Sequence, residues 1–170
     1  MVRQYSVFVS SADDLVDQRN MVERVVNNSI NPNLLQSHMI RLEARMWEKA
    51  HPRRFFGRET IDDEFIEKAE TSDLVLAMLY ERLGSGTKKE IQAVLKTSTP
   101  LSLLWFVRRT EHPDNPTSKY VRKLERRGEL RHKRAGRPGD DQNAEVIFQV
   151  LFKAAIDAIA RPSEDPRARL

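Results

Sequence analysis

The residues with the clearest chemical potential lie in one short run, Leu83-Gly84-Ser85-Gly86-Thr87-Lys88-Lys89-Glu90. Glu90 can supply a negative charge, and Ser85 and Thr87 can supply hydroxyls, within a turn made permissive by two glycines. The same spacing has a plainer use. Thr87-Lys88-Lys89-Glu90 fits a capping box, with Thr87 at the N-cap and Glu90 at N3 reaching back to the Thr87 amide. Ser10-Ser11, ahead of Asp13-Asp14, serves more often as a helix start than as a pair of ligand hydroxyls. Trp47 and the Phe55-Phe56 pair fall in a loop, where aromatics either stack on a ligand or bury under the chain. Other chemistries find no support. The run is not a Walker A loop, because Gly-Lys-Ser/Thr is missing. His38, His51, His112 and His132 show no paired metal spacing, and the chain has no cysteine to act as ligand or nucleophile. Neither a Gly-x-Ser-x-Gly elbow nor a Gly-x-Gly-x-x-Gly turn follows a strand.

These residues need elements to hold them, and the hydrophobic pattern supplies them. Tyr5 to Ser10 is short and rich in β-branched and aromatic residues. Leu15, Val22, Val25, Val26 and Ile30 make a helical stripe, which Asn31-Pro32-Asn33 is expected to break. Met39 to Met46 alternates, with Ile40, Leu42, Ala44 and Met46 on one face, as in a half-buried strand near a sheet edge. Thr60 to Asp63 opens a helix that buries Ile61, Phe65 and Ala69. Leu74 to Leu79 and Pro100 to Val107 are apolar on both faces, as strands inside a covered parallel sheet are. A helix between them turns Ile91, Val94 and Leu95 inward. A basic helix from about Thr117 to Arg127 follows, then a short charged strand at Leu130 to Arg134, which suits an edge. A last helix from about Gln142 to Ala160 carries Val146, Ile147, Val150, Leu151, Ala154 and Ala158.

Strands alternating with helices imply a parallel sheet with right-handed crossovers. Five such units predict an α/β fold, a flavodoxin-like doubly wound sheet of strand order 2-1-3-4-5. Ligands in that topology bind beyond the carboxyl ends of the strands, between the first and third. This places Ser10 and Ser11 opposite Ser85 and Glu90, under the loop from Trp47 to Arg58.

The chain has 170 residues, 39% hydrophobic and 32% charged, which suits one domain at 1–160 with a tail or linker at 161–170. No signal-peptide pattern opens the sequence, and neither apolar run is long enough to span a bilayer, so a cytoplasmic, membrane-free protein is expected. Net charge is +4, and between Val107 and Arg137 eleven Lys or Arg face four acidic residues. A solvated helix face with a charged sheet edge accounts for that better than a nucleic-acid surface.

The segment Tyr5-Ser-Val-Phe-Val-Ser-Ser-Ala-Asp-Asp14 resembles the first strand and loop of Toll/interleukin-receptor (TIR) and TIR-like domains. Glu43 to Glu48 looks like their second strand entering the BB loop. Ile66-Glu-Lys-Ala-Glu-Thr-Ser72-Asp73-Leu-Val75 is similar to their "helix, Ser-Asp, apolar strand" signature. The likeness covers residues 5 to 107 in detail and the remainder by topology. Many TIR domains cleave NAD at the nicotinamide–ribose bond, and the resemblance implies that Glu90 is the catalytic glutamate. It further implies NAD as substrate with no resident cofactor, Ser10, Ser11 and Ser85 as donors to ribose or phosphate, and Trp47 stacked on a ring. Self-association through the Trp47 to Arg58 loop, and a signalling or effector part in bacterial immunity such as antiphage defence, belong to the same expectation. One departure stands out: the usual serine six residues before the glutamate is here Gly84. This is similar to nucleoside deoxyribosyltransferase-like enzymes, which also place a nucleophilic Glu after such a turn. Base exchange on nucleosides, and a non-catalytic self-association module, are thus the alternatives.

Overall fold

The computed structural model describes residues 1–46, 58–106, 115–126 and 131–160, with the backbone alone for 58–64 and 131–134. Five parallel strands form one sheet in the order β2-β1-β3-β4-β5. They are β1 (Arg3–Ser11), β2 (Ile40–Arg45), β3 (Leu74–Leu79), β4 (Leu101–Phe106) and β5 (Arg131–Ala135). The expected strand order therefore holds, with β1 and β3 inside the sheet and β2 at its edge. Ser6 to Ser10 of β1 and all six residues of β3 are buried, as continuous apolar strands covered on both faces must be.

Period-two alternation sorts the core into two layers. Val7, Val9, Leu76, Met78, Leu104 and Phe106 face one side. They pack there against a long helical segment and the C-terminal helix. The long segment comprises a 3₁₀ turn (Asp13–Leu15), α1 (Val16–Val25), a π turn (Val26–Ile30) and α2 (Asn31–His38). Phe8, Val75, Ala77, Leu103 and Trp105 face the other side, against α3 (Arg58–Thr71), α4 (Ser85–Val94) and α5 (Pro116–Arg126). The whole predicted stripe from Leu15 to Ile30 is buried, as are Phe65, Ala69, Ile91 and Val94.

The helix does not break at Asn31-Pro32-Asn33, contrary to the sequence expectation. Proline lacks an N–H and clashes with the carbonyl four residues back. The π turn absorbs that conflict by widening the spiral just before Pro32, which then begins a new helical segment. Asn31 is thereby turned inward, where its side chain exchanges two hydrogen bonds with the backbone of Leu42, at 3.0 and 2.7 Å. The helix ends instead at Met39, which adopts the left-handed conformation (φ 55, ψ 43).

The final helix, α6 (Asn143–Ala160), fully buries Asn143, Ile147, Leu151 and Ala155, a stripe of strict four-residue spacing. Val146, Val150, Ala154 and Ala158, expected inside, are half-buried beside it. On α5, Tyr120, Val121 and Leu124 are buried, and Lys119, Arg122, Lys123, Glu125 and Arg126 are exposed, as in a solvated face. The expected tail at 161–170 lies outside the described residues. Among those described, no helix is long and apolar enough to cross a membrane.

Candidate active site

Alternation along β1 also decides the fate of its serines. Ser6, Phe8 and Ser10 project toward the α3–α4 layer, whereas Ser11 projects toward α1. Ser10, only 2% exposed, donates its hydroxyl to a Glu90 carboxylate oxygen. Ser11 is held from the opposite side: the Arg19 guanidinium donates to its hydroxyl at 2.7 Å and to the carbonyls of Ser11 and Ala12 at 3.3 and 3.1 Å.

Glu90 can meet Ser10 because α4 begins earlier than the sequence suggests. Its N-cap is Gly84 (φ −62, ψ 140), with no side-chain cap, and the Lys88 amide closes the first turn on the Gly84 carbonyl at 3.0 Å. Thr87 is thus N3 rather than N-cap, and Glu90 lies in the second turn, out of reach of a reciprocal cap. The capping-box expectation fails. The start of α4 packs against the end of β1, where a Cβ on Gly84 would be in ordinary contact with that of Ala12, at 3.5 Å.

Ser10, Ser11, Ser85 and Glu90 line one cleft of about 320 Å³, together with Phe8, Ala12, Asp13, Phe65, Arg82, Gly84, Gly86 and Thr87. It opens beyond the carboxyl ends of β1 and β3, at the topological switch point. Trp47 and the rest of its loop, including Arg53, Arg54, Phe55 and Phe56, lie outside the described residues. The aromatic wall that is described comes from Phe8 and Phe65, with ring centroids 6.5 Å apart. Sequence reasoning placed Phe65 on a buried helical stripe and Phe8 in the first strand, and gave neither a part in the site.

The loop between β3 and α4 is pinned from two directions. Asp14 accepts the amides of Glu81 and Arg82 at 3.2 and 3.0 Å. Thr117, at the start of α5, donates its hydroxyl to the Glu81 carbonyl at 3.2 Å. Arg19 is the residue most clearly missed. It is fully buried, and the visible clue was its place on the apolar stripe, between Leu15 and Val22 at helical spacing. Chemically, the cleft offers a half-buried carboxylate held by a hydroxyl, a second hydroxyl at Ser85, apolar rings beside them and a guanidinium at the rim. Among the described residues, no group of three His, Asp or Glu side chains could hold a metal ion.

No protein-family model matches the chain, and no curated protein does. Solved structures do match. Translation elongation factor SelB of Methanococcus maripaludis, in its apo form, superposes with a TM-score of 0.52 at 11% identity, over 96% of this chain and 37% of that one. The chain therefore spans little more than a third of the SelB structure's length. An azoreductase of Bacillus anthracis str. Sterne matches at TM-score 0.43 and 11% identity, covering 92% of this chain and 99% of that one. A flavodoxin-like domain from Synechococcus sp. matches at 0.40 and 12%, over 89% and 94%. Likeness at such identities concerns the fold alone, and the two lower scores carry no weight.

Proposed function

We propose that this chain is a TIR-like NAD glycohydrolase that cleaves the nicotinamide–ribose bond, with Glu90 as the catalytic carboxylate. The supporting observation is the Ser10–Glu90 pair, a carboxylate released from capping and set in the switch-point cleft. Breaking the C1′–N bond sends its electron pair to nicotinamide, which departs neutral and needs no general acid. The ribose left behind approaches an oxocarbenium ion, and Glu90 faces that charge. Ser10 fixes the carboxylate's direction. Phe8 and Phe65 give the departing ring an apolar wall, and Ser85 offers a hydroxyl to the sugar. Water then adds to C1′ and releases a proton, giving ADP-ribose. NAD is the substrate, and the reaction uses no resident cofactor.

Under this reading the protein works in the cytoplasm, as an effector or signalling domain of a bacterial immune system that assembles with copies of itself. The test is incubation of purified protein with NAD over a range of protein concentrations, following nicotinamide release. Release that grows faster than linearly with protein supports both activity and assembly. No release at concentrations where the protein is demonstrably associated overturns the proposal in favour of a non-catalytic module. Exchange of bases on a free nucleoside, with NAD untouched, overturns it in favour of a transferase.

A further inference from the structure

The helical layer formed by α3, α4 and α5 is charged unevenly from one flank to the other. Helix α3 has six acidic residues against Arg58 and Lys68. Of these, Glu67 and Glu70 are exposed, three residues apart on one face. Helix α5 has four basic residues against Glu125 alone. At about 3.6 residues per turn, Lys119, Arg122, Lys123 and Arg126 fall opposite the stripe of Thr117, Tyr120, Val121 and Leu124. That stripe is buried, and all four cations are exposed. Between the two flanks lies α4. Its Val94 packs with Phe65 and Ala69 of α3, and its Ile91 with Tyr120, Val121 and Leu124 of α5. Lys88 and Lys89, exposed on α4, extend the positive side.

Packed helices sit roughly 8–10 Å apart, so α3 and α5 of one copy are separated by about two such steps. That is beyond the ~8 Å over which exposed charges act at physiological salt. Neither face can therefore neutralise the other within the chain. We propose that they meet between copies, with α5 of one molecule docked on α3 of the next. A nucleic acid or other polyanion would answer α5 and leave α3 unmatched, whereas a second copy answers both. The contact also reaches the cleft. Thr117, in the first turn of α5, donates to the Glu81 carbonyl at 3.2 Å, and the Lys88 ammonium stands 5.6 Å from the centre of the Tyr120 ring. A partner seated on α5 thus steadies the loop that carries Arg82, Gly84 and Ser85 into the cleft. This rests on the assembly reading given above, and it names the surface through which activity grows with concentration.

The test follows the full chain by sedimentation equilibrium in low and high salt, with melting temperature as the check on folding. Two variants reverse one face each: Arg122→Glu with Arg126→Glu, and Glu67→Lys with Glu70→Lys. The wild type should self-associate, more weakly as salt rises. Each variant alone should associate at least about tenfold more weakly, because like charges now face each other. Mixed in equal amounts, the two should recover association, since each reversed face meets its opposite, and NAD cleavage should recover with it. A wild type that stays monomeric at low salt overturns the contact, as does association that the substitutions leave unchanged or that mixing does not restore. Should either double reversal fail to fold, Arg122→Gln and Glu67→Gln take their place, and wild-type association in both overturns the contact. A mixed-sequence RNA oligonucleotide is titrated in parallel. Salt-sensitive RNA binding that Arg122→Glu with Arg126→Glu abolishes, in a protein that does not self-associate, overturns the proposal in favour of a polyanion surface. If NAD is cleaved while charge reversal leaves association untouched, this contact falls and the catalytic reading stands. If reversal and mixing behave as described and NAD is never cleaved, the contact stands without that chemistry.

Discussion

Strand β1 presents a serine to a carboxylate at each of its ends, and the two pairs differ in kind. At the amino end, Asp73 accepts from both the amide and the hydroxyl of Ser6, at 2.7 and 2.9 Å, and the Asp73 amide donates back to that hydroxyl at 3.1 Å. Backbone groups on both strands take part, so the cluster stitches β1 to β3 just before Val7 and Leu74 come into register. At the carboxyl end, Ser10 meets Glu90 through side chains only, in a cleft of about 320 Å³. Residue type is nearly the same in the two places. Position in the topology separates them, because only the carboxyl ends of a doubly wound sheet open into a ligand crevice.

The sharpest way to break this contrast is Glu90→Gln. It keeps shape and hydrogen bonding but removes the charge, so NAD cleavage should fall on the order of a hundredfold or more while the melting temperature barely moves. Full turnover in that variant would end the catalytic assignment. Arg19→Met comes next. It removes the donor to three oxygens at the end of β1 and leaves buried acceptors unmatched, so a loss of roughly 2–4 kcal/mol in denaturant unfolding is expected. Turnover per folded molecule should drop as well, and unchanged turnover would show that the Ser11–Ala12 turn does not shape the site. Asp73→Asn tests the other end. It should cost about 1–3 kcal/mol, with turnover per folded molecule intact. Loss of activity without loss of stability there would erase the distinction between the two ends. The smallest effect is a gain: Met39→Gly relieves a left-handed residue and should raise stability by about 1 kcal/mol or less.

Much of this was legible in the sequence, for reasons visible in particular residues. Leu74 to Leu79 was read with its observed bounds because a run apolar on both faces, following Ser-Asp, has few other uses. The same logic gave the sheet order and brought Ser10 and Glu90 together. Local spacing misled at Thr87, where a motif that fits a cap lies inside a helix that starts three residues earlier, with Gly84 at its N-cap. It misled again at Pro32, because a π turn leaves no mark in periodicity. Phe8 and Phe65 are both core and cleft wall, a double role that hydrophobicity alone cannot express. Arg19 was readable as a charge on an apolar stripe, a pattern that asks for partners but does not name them.

The Ser10–Glu90 contact joins residues 80 positions apart. Ribosomes add on the order of 5–20 residues per second, so Ser10 exists for roughly 4–16 seconds before Glu90 is made. The β3 neighbour of β1 and the α4 carboxylate both come later in the chain. Throughout that interval the growing chain holds every β1 hydroxyl and no complete site. The order of the elements therefore works as a timer: the Ser10–Glu90 pair cannot form before α4 is made.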